Sequence, residues 1–114
     1  MSADLFSPEL KKGSLELIVL TLLDERPRHG YEIGQLIESR SRGRLQFRVT
    51  SLYPVLYRME SRGWIASRWV EKPGERRRNC YRLTRQGRKI LAEEERHWRA
   101  FTAAVGLVLG GDRA

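Results

Sequence analysis

Residues that carry out catalysis or hold metals are scarce in this sequence of 114 residues. It has one cysteine, Cys80, and two histidines, His29 and His97. A single cysteine excludes an internal disulfide framework and fits a reducing compartment, and no Cys/His cluster has metal-ligand spacing. Glycine-rich phosphate loops of the G-x-x-x-x-G-K-S/T and G-x-G-x-x-G types are absent. We therefore expect no enzyme activity, no metal and no cofactor. Cys80 is expected to be partly buried and inert, with a redox sensor as the alternative.

Long apolar stretches are missing as well. None approaches the ~18 apolar residues of a membrane-spanning helix, and the N-terminus lacks the basic, apolar and small-residue segments of a secretory signal. A chain of this length suits one small domain with a modest core and has no room for a deep catalytic cleft. These absences predict a cytoplasmic protein that does not enter the membrane.

Acidic residues are few, and basic residues are concentrated in one part of the chain. The net charge is +8, and the segment from Arg40 to Arg88 holds fourteen basic residues against three acids. Such a segment raises the local concentration of a polyanion, and nucleic acid is the leading candidate. An acidic membrane surface is the rival, weakened because the basic residues do not line one face of a single amphipathic helix.

Hydrophobic periodicity and turn residues divide the chain into elements. The first helix begins at Ser7 and Pro8 and carries apolar residues around almost its whole circumference, so we expect burial on nearly all sides, partly by a second chain. Leu5 and Phe6 are expected to pack on another element or subunit. The later elements are expected to be a helix over residues 30–39, a strand over 45–49, a helix capped by Thr50 or Ser51 and ending before Gly63, strands over 66–71 and 81–83, and a helix over 84–109.

The third helix has two contrasting faces. Leu52, Val55, Leu56 and Met59 fall within an arc of roughly 100°, which predicts a half-buried helix. The opposite arc consists of Thr50, Pro54, Tyr57 and Ser61, with Tyr53 and Arg58 beside it. This outer face carries several hydroxyls and the guanidinium of Arg58. Pro54 is expected within the first turn. Such a face can donate hydrogen bonds to phosphates and base edges in a major groove; an ordinary amphipathic surface helix is the alternative.

A basic turn joins the two later strands. The segment KPGERRRN places Lys72, Arg76, Arg77 and Arg78 at the tip of a hairpin. Three consecutive arginines repel one another unless an anion lies near them. We expect these side chains to contact phosphates, with a merely solvated loop as the alternative.

The last helix carries a short heptad pattern. Leu91, Trp98 and Val105 are seven residues apart, and Glu94, Phe101 and Val108 form a second set with the same spacing. Little of a small domain remains to cover this stripe. The pattern therefore predicts a homodimer in which α-helices pack across a two-fold axis through Leu91, Trp98, Phe101, Val105 and Val108.

The order helix, helix, strand, helix, hairpin, helix is that of a winged helix-turn-helix. The segments KGSLELIVLTLL, RPRHGYEIGQLI, TSLYPVLYRMESRGWI and YRLTRQGRKIL occur in order with separations that resemble the PadR family of bacterial transcriptional regulators. The resemblance runs from Leu10 to Trp98 and is closest to the compact subgroup with one C-terminal helix. It implies a mainly α fold with a small β-hairpin, with a winged helix-turn-helix over residues 7–83 and a dimerisation helix over 84–109.

The resemblance also implies a function. Members of the family are homodimers that bind roughly palindromic operators, usually as repressors. The positions that match the DNA-facing residues of the family are Ser51, Tyr53, Pro54 and Arg58, together with the basic wing. Tyr31 matches a position near the DNA backbone, with a packing role as the alternative. Trp98 stands where some compact members stack planar drug-like molecules, with a role in the interface core as the alternative.

Two other function classes remain open at this point. The same fold can serve as a protein-interaction module with only non-specific DNA affinity and an acidic protein partner. RNA is disfavoured, because side chains cannot read the narrow major groove of duplex RNA, and no sheet presents an aromatic platform for single strands.

Overall fold

The computed structural model describes residues 8–110. The predictions for Leu5, Phe6 and Ser7 concern residues outside this range. In chain order the elements are α1 Pro8–Glu25, β1 Arg28–His29, α2 Gly30–Arg40, α3 Val49–Ser61, β2 Ile65–Val70, β3 Arg78–Leu83 and α4 Arg85–Leu109.

Helix α1 packs against α2, α3, α4 and β3 and supplies much of the core. Its buried residues are Leu15, Val19, Leu20, Leu22 and Leu23, whereas Leu17 and Ile18 are only partly buried. The apolar circumference of α1 is thus covered mostly from within the chain. Burial of one leucine side chain contributes roughly 1.5–3 kcal/mol. The other elements contribute Ile33, Ile37, Leu52, Val55, Leu56, Met59, Ile65, Tyr81, Leu83 and Leu91 to the same core.

The connection between α2 and α3 differs from the prediction. The strand expected over residues 45–49 is wrong, because residues 45–48 form no strand and Val49 already begins α3. Leu45 and Phe47 are partly buried against the core, and the Lys11 ammonium lies 5.2 Å from the centre of the Phe47 ring. The apolar alternation therefore reflects an extended loop that packs on the core; a strand also needs a neighbour to pair with.

A two-residue strand that the sequence did not predict completes the sheet. No strand is expected between the first two helices, but Arg28 pairs with Tyr81 and His29 with Cys80 in antiparallel register. The sheet order is β1-β3-β2. The hairpin itself was predicted, and its register runs from Ile65 opposite Leu83 to Val70 opposite Arg78. Cys80 is partly buried, as expected.

Helix α3 begins earlier than its cap residues suggested. The N-cap is Arg48, which makes no side-chain capping bond, so the prediction that Thr50 or Ser51 caps the helix is wrong. The carbonyl oxygen of Arg48 instead accepts from the N–H groups of Ser51 and Leu52, each at 2.9 Å. Pro54 consequently lies in the second turn. Because proline has no N–H, the Thr50 carbonyl receives no intrahelical bond there.

Helix α4 begins and ends as predicted. Thr84 is the N-cap, its Oγ1 accepts from the N–H of Gly87 at 3.0 Å, and Gly110 ends the helix with φ 75°. The single proton of the Thr84 hydroxyl is shared between the carbonyl oxygens of Gly63 at 2.6 Å and Trp64 at 2.9 Å. A Cβ on Gly87 would lie 3.0 Å from the Trp64 carbonyl carbon. This joint (Gly63, Trp64, Thr84 and Gly87) fixes the start of α4 against the end of α3.

The helices within residues 8–110 differ from bilayer-spanning helices. None of them combines the length and the apolar character that crossing a membrane requires.

Candidate nucleic-acid interface

The two faces of α3 separate as the sequence predicts. Leu52, Val55, Leu56 and Met59 are buried. The residues on the other face are exposed, namely Thr50, Ser51, Pro54, Tyr57, Arg58 and Ser61. This outer face therefore presents two hydroxyl-bearing side chains and a proline in the first two turns, followed by a phenol and a guanidinium.

Tyr53 takes a different position from the other residues of this face. It is partly buried and packs against the core, and its phenol lies directly over Gly30 at the start of α2. A Cβ on Gly30 would lie 2.6 Å from the Tyr53 Cζ, which is closer than non-bonded carbon atoms approach. The Tyr53 and Tyr57 rings are 6.1 Å apart with an interplanar angle of 51°. Gly30 thus allows a tyrosine from α3 to lie across the N-terminus of α2.

Arg58 is held by an acid that the sequence patterns did not reveal. Glu16 on α1 lies 3.5 Å from Arg58 Nε and 3.3 Å from Arg62 Nη1. The side chains of both arginines remain about half exposed, so each ion pair contributes at most about 1 kcal/mol. Glu16 therefore orients Arg58 without removing it from the surface.

The wing (residues 65–83, with the loop 71–77 at its tip) carries the predicted cations. Lys72, Arg76 and Arg78 are exposed, and within residues 8–110 no carboxylate forms an ion pair with any of them. Arg77 pairs with Glu71 at 3.3 Å and lies 4.8 Å from the centre of the Trp69 ring. Arg78 belongs to β3 rather than to the tip.

Arg78 and the backbone N–H of Glu32 in α2 compete for the side chain of His29. His29 Nδ1 accepts from the N–H of Glu32 at 3.2 Å, while its Nε2 lies 2.8 Å from Arg78 Nη1. Both partners are donors, and a neutral imidazole has only one acceptor nitrogen. The two contacts therefore cannot both be hydrogen bonds at once. Partial burial, followed by the guanidinium of Arg78, lowers the pKa of His29 from its ordinary value of 6.5.

A cleft of about 460 Å³ lies between α3 and the wing. Tyr31, Tyr53 and Tyr57 line it from the helices, and Trp69 with Arg76, Arg77 and Arg78 lines it from the wing. Tyr81 lies at its floor, where burial raises the pKa of the phenol to about 12. The structure thus brings Tyr31, two residues of α3 and three of the four predicted wing cations to one opening.

A second groove holds the remaining candidates from α3. It has a volume of about 970 Å³ and lies between α1, α2 and the start of α3. Thr50, Ser51, Pro54 and Arg58 line it, and Tyr31 borders both openings. Lys72 lines neither of these two spaces. The candidate residues are therefore distributed over adjacent surfaces on either side of Tyr31.

A buried arginine positions α2 within this interface. Arg28 is 5% exposed, and its guanidinium donates to the Leu22 carbonyl at 3.1 Å, to Glu25 at 2.6 Å and to Glu32 at 2.9 Å. Arg40 shares Glu25, and its hydrogen bonds lower the pKa of that carboxyl to about 2. Arg26 pairs with Glu32. This network joins the end of α1 to both ends of α2.

Helix α4 leaves an apolar stripe uncovered. Trp98 is 43% exposed, Phe101 62%, Val105 37% and Val108 87%. Leu91 differs, because it is buried in the core of its own chain. Of the five residues predicted for the dimer interface, four are thus accessible to a second chain along the distal part of α4.

Residues 8–110 contain no group of three or more His, Cys, Asp or Glu side chains arranged to hold a metal ion.

Comparison with known proteins identifies the family. The model of the transcriptional regulator PadR-like family matches residues 19–93. The chain belongs to the PadR-like family. Its relatives include an uncharacterized protein from Lysinibacillus sphaericus, 30% identical over 103 residues that cover 90% of this chain and 94% of that protein.

Solved structures agree with this assignment. A transcriptional regulator from Clostridium thermocellum has 28% identity and a TM-score of 0.82, covering 90% of this chain and 96% of that one. A PadR family transcriptional regulator from Eggerthella lenta has 34% identity and a TM-score of 0.79, with 89% and 86% covered. The PadR-like chain therefore has the mainly helical winged helix-turn-helix fold that the sequence predicts, in a family of transcriptional regulators rather than enzymes.

Four residues of the candidate interface were not singled out as site residues from the sequence. Glu16 and Trp69 contact candidate arginines, His29 contacts Arg78, and Asn79 lines the cleft beside the wing. Only Trp69 gave a usable signal, since an aromatic residue in a strand next to a basic turn can stack on a guanidinium.

Proposed function

We propose that this PadR-like protein is a cytoplasmic, sequence-specific regulator that binds double-stranded DNA as a homodimer. The observation that carries the proposal is the cleft where the outer face of α3 meets the wing. It combines exposed tyrosines with Arg76 and Arg78, which have no acidic partner among the described residues. In this proposal residues 7–83 bind DNA and residues 84–109 form the dimer.

Helix α3 is the element that reads sequence. Thr50, Ser51 and Pro54 lie in its first two turns, from which a recognition helix contacts base edges in the major groove. Arg58 offers a guanidinium that can bind guanine with two hydrogen bonds, once DNA displaces Glu16. Tyr57, Tyr53 and Tyr31 border the same surface, where their hydroxyls can donate to phosphates or bases.

The wing supplies affinity that does not depend on sequence. Lys72, Arg76, Arg77 and Arg78 are placed to neutralise phosphates beside the groove that α3 enters. Each neutralised phosphate releases counterions and contributes roughly −0.9 to the slope of log affinity against log salt. A protein that uses several such contacts binds DNA much more weakly as the salt concentration rises.

The exposed stripe of α4 supports the homodimer. Trp98, Phe101, Val105 and Val108 would be covered by the same residues of a second chain across a two-fold axis, with Leu91 anchoring the helix to its own domain. Two copies of α3 related in this way fit successive major grooves about 34 Å apart. The operator is then an inverted repeat, and a dimer bound there represses by blocking access to a promoter.

A planar small molecule at the dimer interface is the proposed inducer. Trp98 and its symmetry mate offer two indole faces for stacking. Such a ligand releases DNA only when it binds more tightly to a dimer whose α3 spacing does not fit the operator, because equal affinity for both arrangements shifts no equilibrium. Packing of Trp98 within the interface core, without a ligand, is the simpler role for this residue.

Selection from a pool of random duplex DNA at near-physiological salt tests the proposal. Enrichment of an inverted repeat, with half-sites about one helical turn apart, is the expected result. Salt-sensitive binding without sequence preference would instead favour a winged-helix module that binds an acidic protein partner.

A further inference from the structure

The cleft between α3 and the wing has the lining of a small-molecule site as well as that of a DNA contact. We propose that it binds a free purine nucleotide and that the bound nucleotide excludes DNA. The exclusion rests on the DNA-binding function proposed above, whereas nucleotide binding does not.

The charge of the cleft selects an anion. Arg76, Arg77 and Arg78 line it, and no acidic side chain does. Arg76 and Arg78 have no carboxylate partner within residues 8–110. Arg78 contacts His29 through Nη1 only, so the rest of its guanidinium can bind a ligand. Guanidinium groups bind phosphate through paired, charge-assisted hydrogen bonds, which are stronger than neutral ones.

The aromatic residues of the cleft select a planar ring. Tyr31 is 62% exposed, Tyr57 58% and Trp69 57%, and all three line this one opening. Solvent exposure of large aromatic faces grouped in this way marks a binding surface. A base stacked on such a side chain gains about 1–3 kcal/mol, and Arg77 holds Trp69 from one side.

An unpaired hydrogen-bond acceptor on Asn79 favours a ligand whose ring carries a hydrogen-bond donor. Asn79 lines the cleft, and its Oδ1 is buried without a hydrogen-bond partner among the described residues. An acceptor left in that state costs free energy. A rotation about the soft terminal torsion of the side chain, at the expense of its contact with Tyr81, would turn the amide toward the cleft, where the exocyclic amine of a purine could donate to it.

The size of the cleft fits a nucleotide better than a single ring. Its volume of about 460 Å³ is within the range of roughly 300–1,000 Å³ found for ligand pockets. One aromatic ring would leave most of that space to water, whereas two fused rings, a sugar and a phosphate fill more of it. Because the same arginines are proposed to contact DNA phosphates, one occupant excludes the other.

Isothermal titration calorimetry of the full chain with adenosine monophosphate tests the site without DNA. We expect one nucleotide per chain, bound at least about tenfold more tightly than ribose phosphate, which has the anion but no base. Equal affinities for the two compounds, or no binding of adenosine monophosphate at millimolar concentration, would overturn the proposal.

Paired arginine variants locate the site. Arg76→Ala should weaken nucleotide binding about tenfold, the loss expected for one charge-assisted hydrogen bond. Arg82→Ala is the matched control, since Arg82 is also an exposed arginine of the wing but does not line the cleft. Its affinity should stay within about twofold of the parent protein. Equal losses in the two variants would show attraction to net charge only and would contradict a site in the cleft.

A competition experiment tests the exclusion separately. Saturating adenosine monophosphate should weaken binding of a fluorescent duplex about tenfold or more. If the nucleotide binds but DNA affinity is unchanged, the exclusion is wrong and the nucleotide site stands. If the protein binds the nucleotide but no duplex, the proposed regulator function is wrong and the nucleotide site again stands.

Discussion

The phenol of Tyr53 occupies the space that a side chain on Gly30 would need. The Tyr53 ring lies across the first residue of α2, and a Cβ at position 30 would be 2.6 Å from its Cζ. A residue of the proposed recognition helix is thereby locked to the helix that precedes it.

Replacement of Gly30 by alanine should affect DNA affinity more than it affects the stability of the fold. In Gly30→Ala the new methyl group displaces Tyr53, so we expect operator affinity to fall about tenfold, while the helical preference of alanine offsets part of the strain. Gly34→Ala is the matched control on the same helix, because its Cβ would meet only Leu52 Cδ2 at 3.7 Å. Fluorescence anisotropy measures affinity and urea unfolding measures stability. Equal operator affinities for the two variants would contradict the packing role of Gly30.

Loss of the buried Arg28 guanidinium should lower the free energy of unfolding. Arg28→Met leaves the Leu22 carbonyl without its side-chain donor and removes one of the two arginines that pair with Glu25 and with Glu32. We expect the free energy of unfolding to fall by about 1–3 kcal/mol. Arg26→Met removes an exposed arginine that pairs with the same Glu32, and should cost less than about 1 kcal/mol. Urea unfolding at neutral pH compares the variants, and similar losses in both would show that burial of Arg28 is unimportant.

Stability should depend on the protonation of His29. Its pKa is lowered in the folded chain, so the unfolded chain binds a proton more readily. The stability contributed by neutral His29 is therefore fully present above its ordinary pKa of 6.5 and is lost as the pH falls through the lower folded value. Glu25, with a pKa of about 2, stays ionised over most of this range.

The variant His29→Asn provides the comparison for this pH dependence. Asparagine keeps a side-chain acceptor at the N-cap of α2 but does not titrate. The urea midpoint of the parent protein should fall more steeply between neutral pH and pH of about 5 than that of the variant. Parallel curves would assign the pH dependence to other groups.

Removal of the wing arginines should flatten the salt dependence of DNA binding. Replacement of Arg76, Arg77 and Arg78 by alanine removes up to three phosphate contacts, so the slope of log affinity against log salt should become less steep by roughly 2–3. A triple variant of Arg85, Arg88 and Lys89 loses the same charge from the first turns of α4. An identical change of slope in the two proteins would indicate long-range attraction instead of contacts at the wing.

The variant Trp98→Ala should weaken the proposed dimer. A large aromatic side chain in the centre of an interface contributes about 2 kcal/mol or more, so the dimer dissociation constant should rise at least about thirtyfold. Sedimentation velocity over a range of concentrations measures this constant. The control is Arg99→Ala, which changes the next residue on the exposed surface of α4 and should leave the dimer dissociation constant nearly unchanged. A Trp98→Ala protein that stays dimeric at the same dilution would argue against the assigned interface.

Local signals were sufficient to predict that the four helices exist, although the predicted N-cap of α3 was wrong. Periodic apolar residues defined the buried face of α3, and Thr84 and Gly110 marked the ends of α4, because capping and periodicity depend on residues close in sequence. The strand Arg28–His29 was missed for the opposite reason. It exists only because Tyr81 and Cys80 pair with it, and two residues carry no periodicity of their own.

The candidate site was predictable residue by residue but not as an arrangement. Hydroxyls, tyrosines and arginines could be assigned to the outer face of α3 and to the wing from their order. The contacts of Glu16 with Arg58 and of Gly30 with Tyr53 join segments far apart in the chain, so tertiary packing decides them. The cleft beside Asn79 likewise depends on how the hairpin lies against α3.

The joint around Thr84 has a mechanical consequence. One hydroxyl contacts two carbonyl oxygens after the end of α3 and also caps α4, and Gly87 permits contact without an intervening side chain. In a homodimer held by α4, a tilt of α4 would move α3 as well, because the joint between the two helices contains no flexible linker. A few degrees of rotation at the two-fold axis would then move the paired α3 helices out of register with DNA.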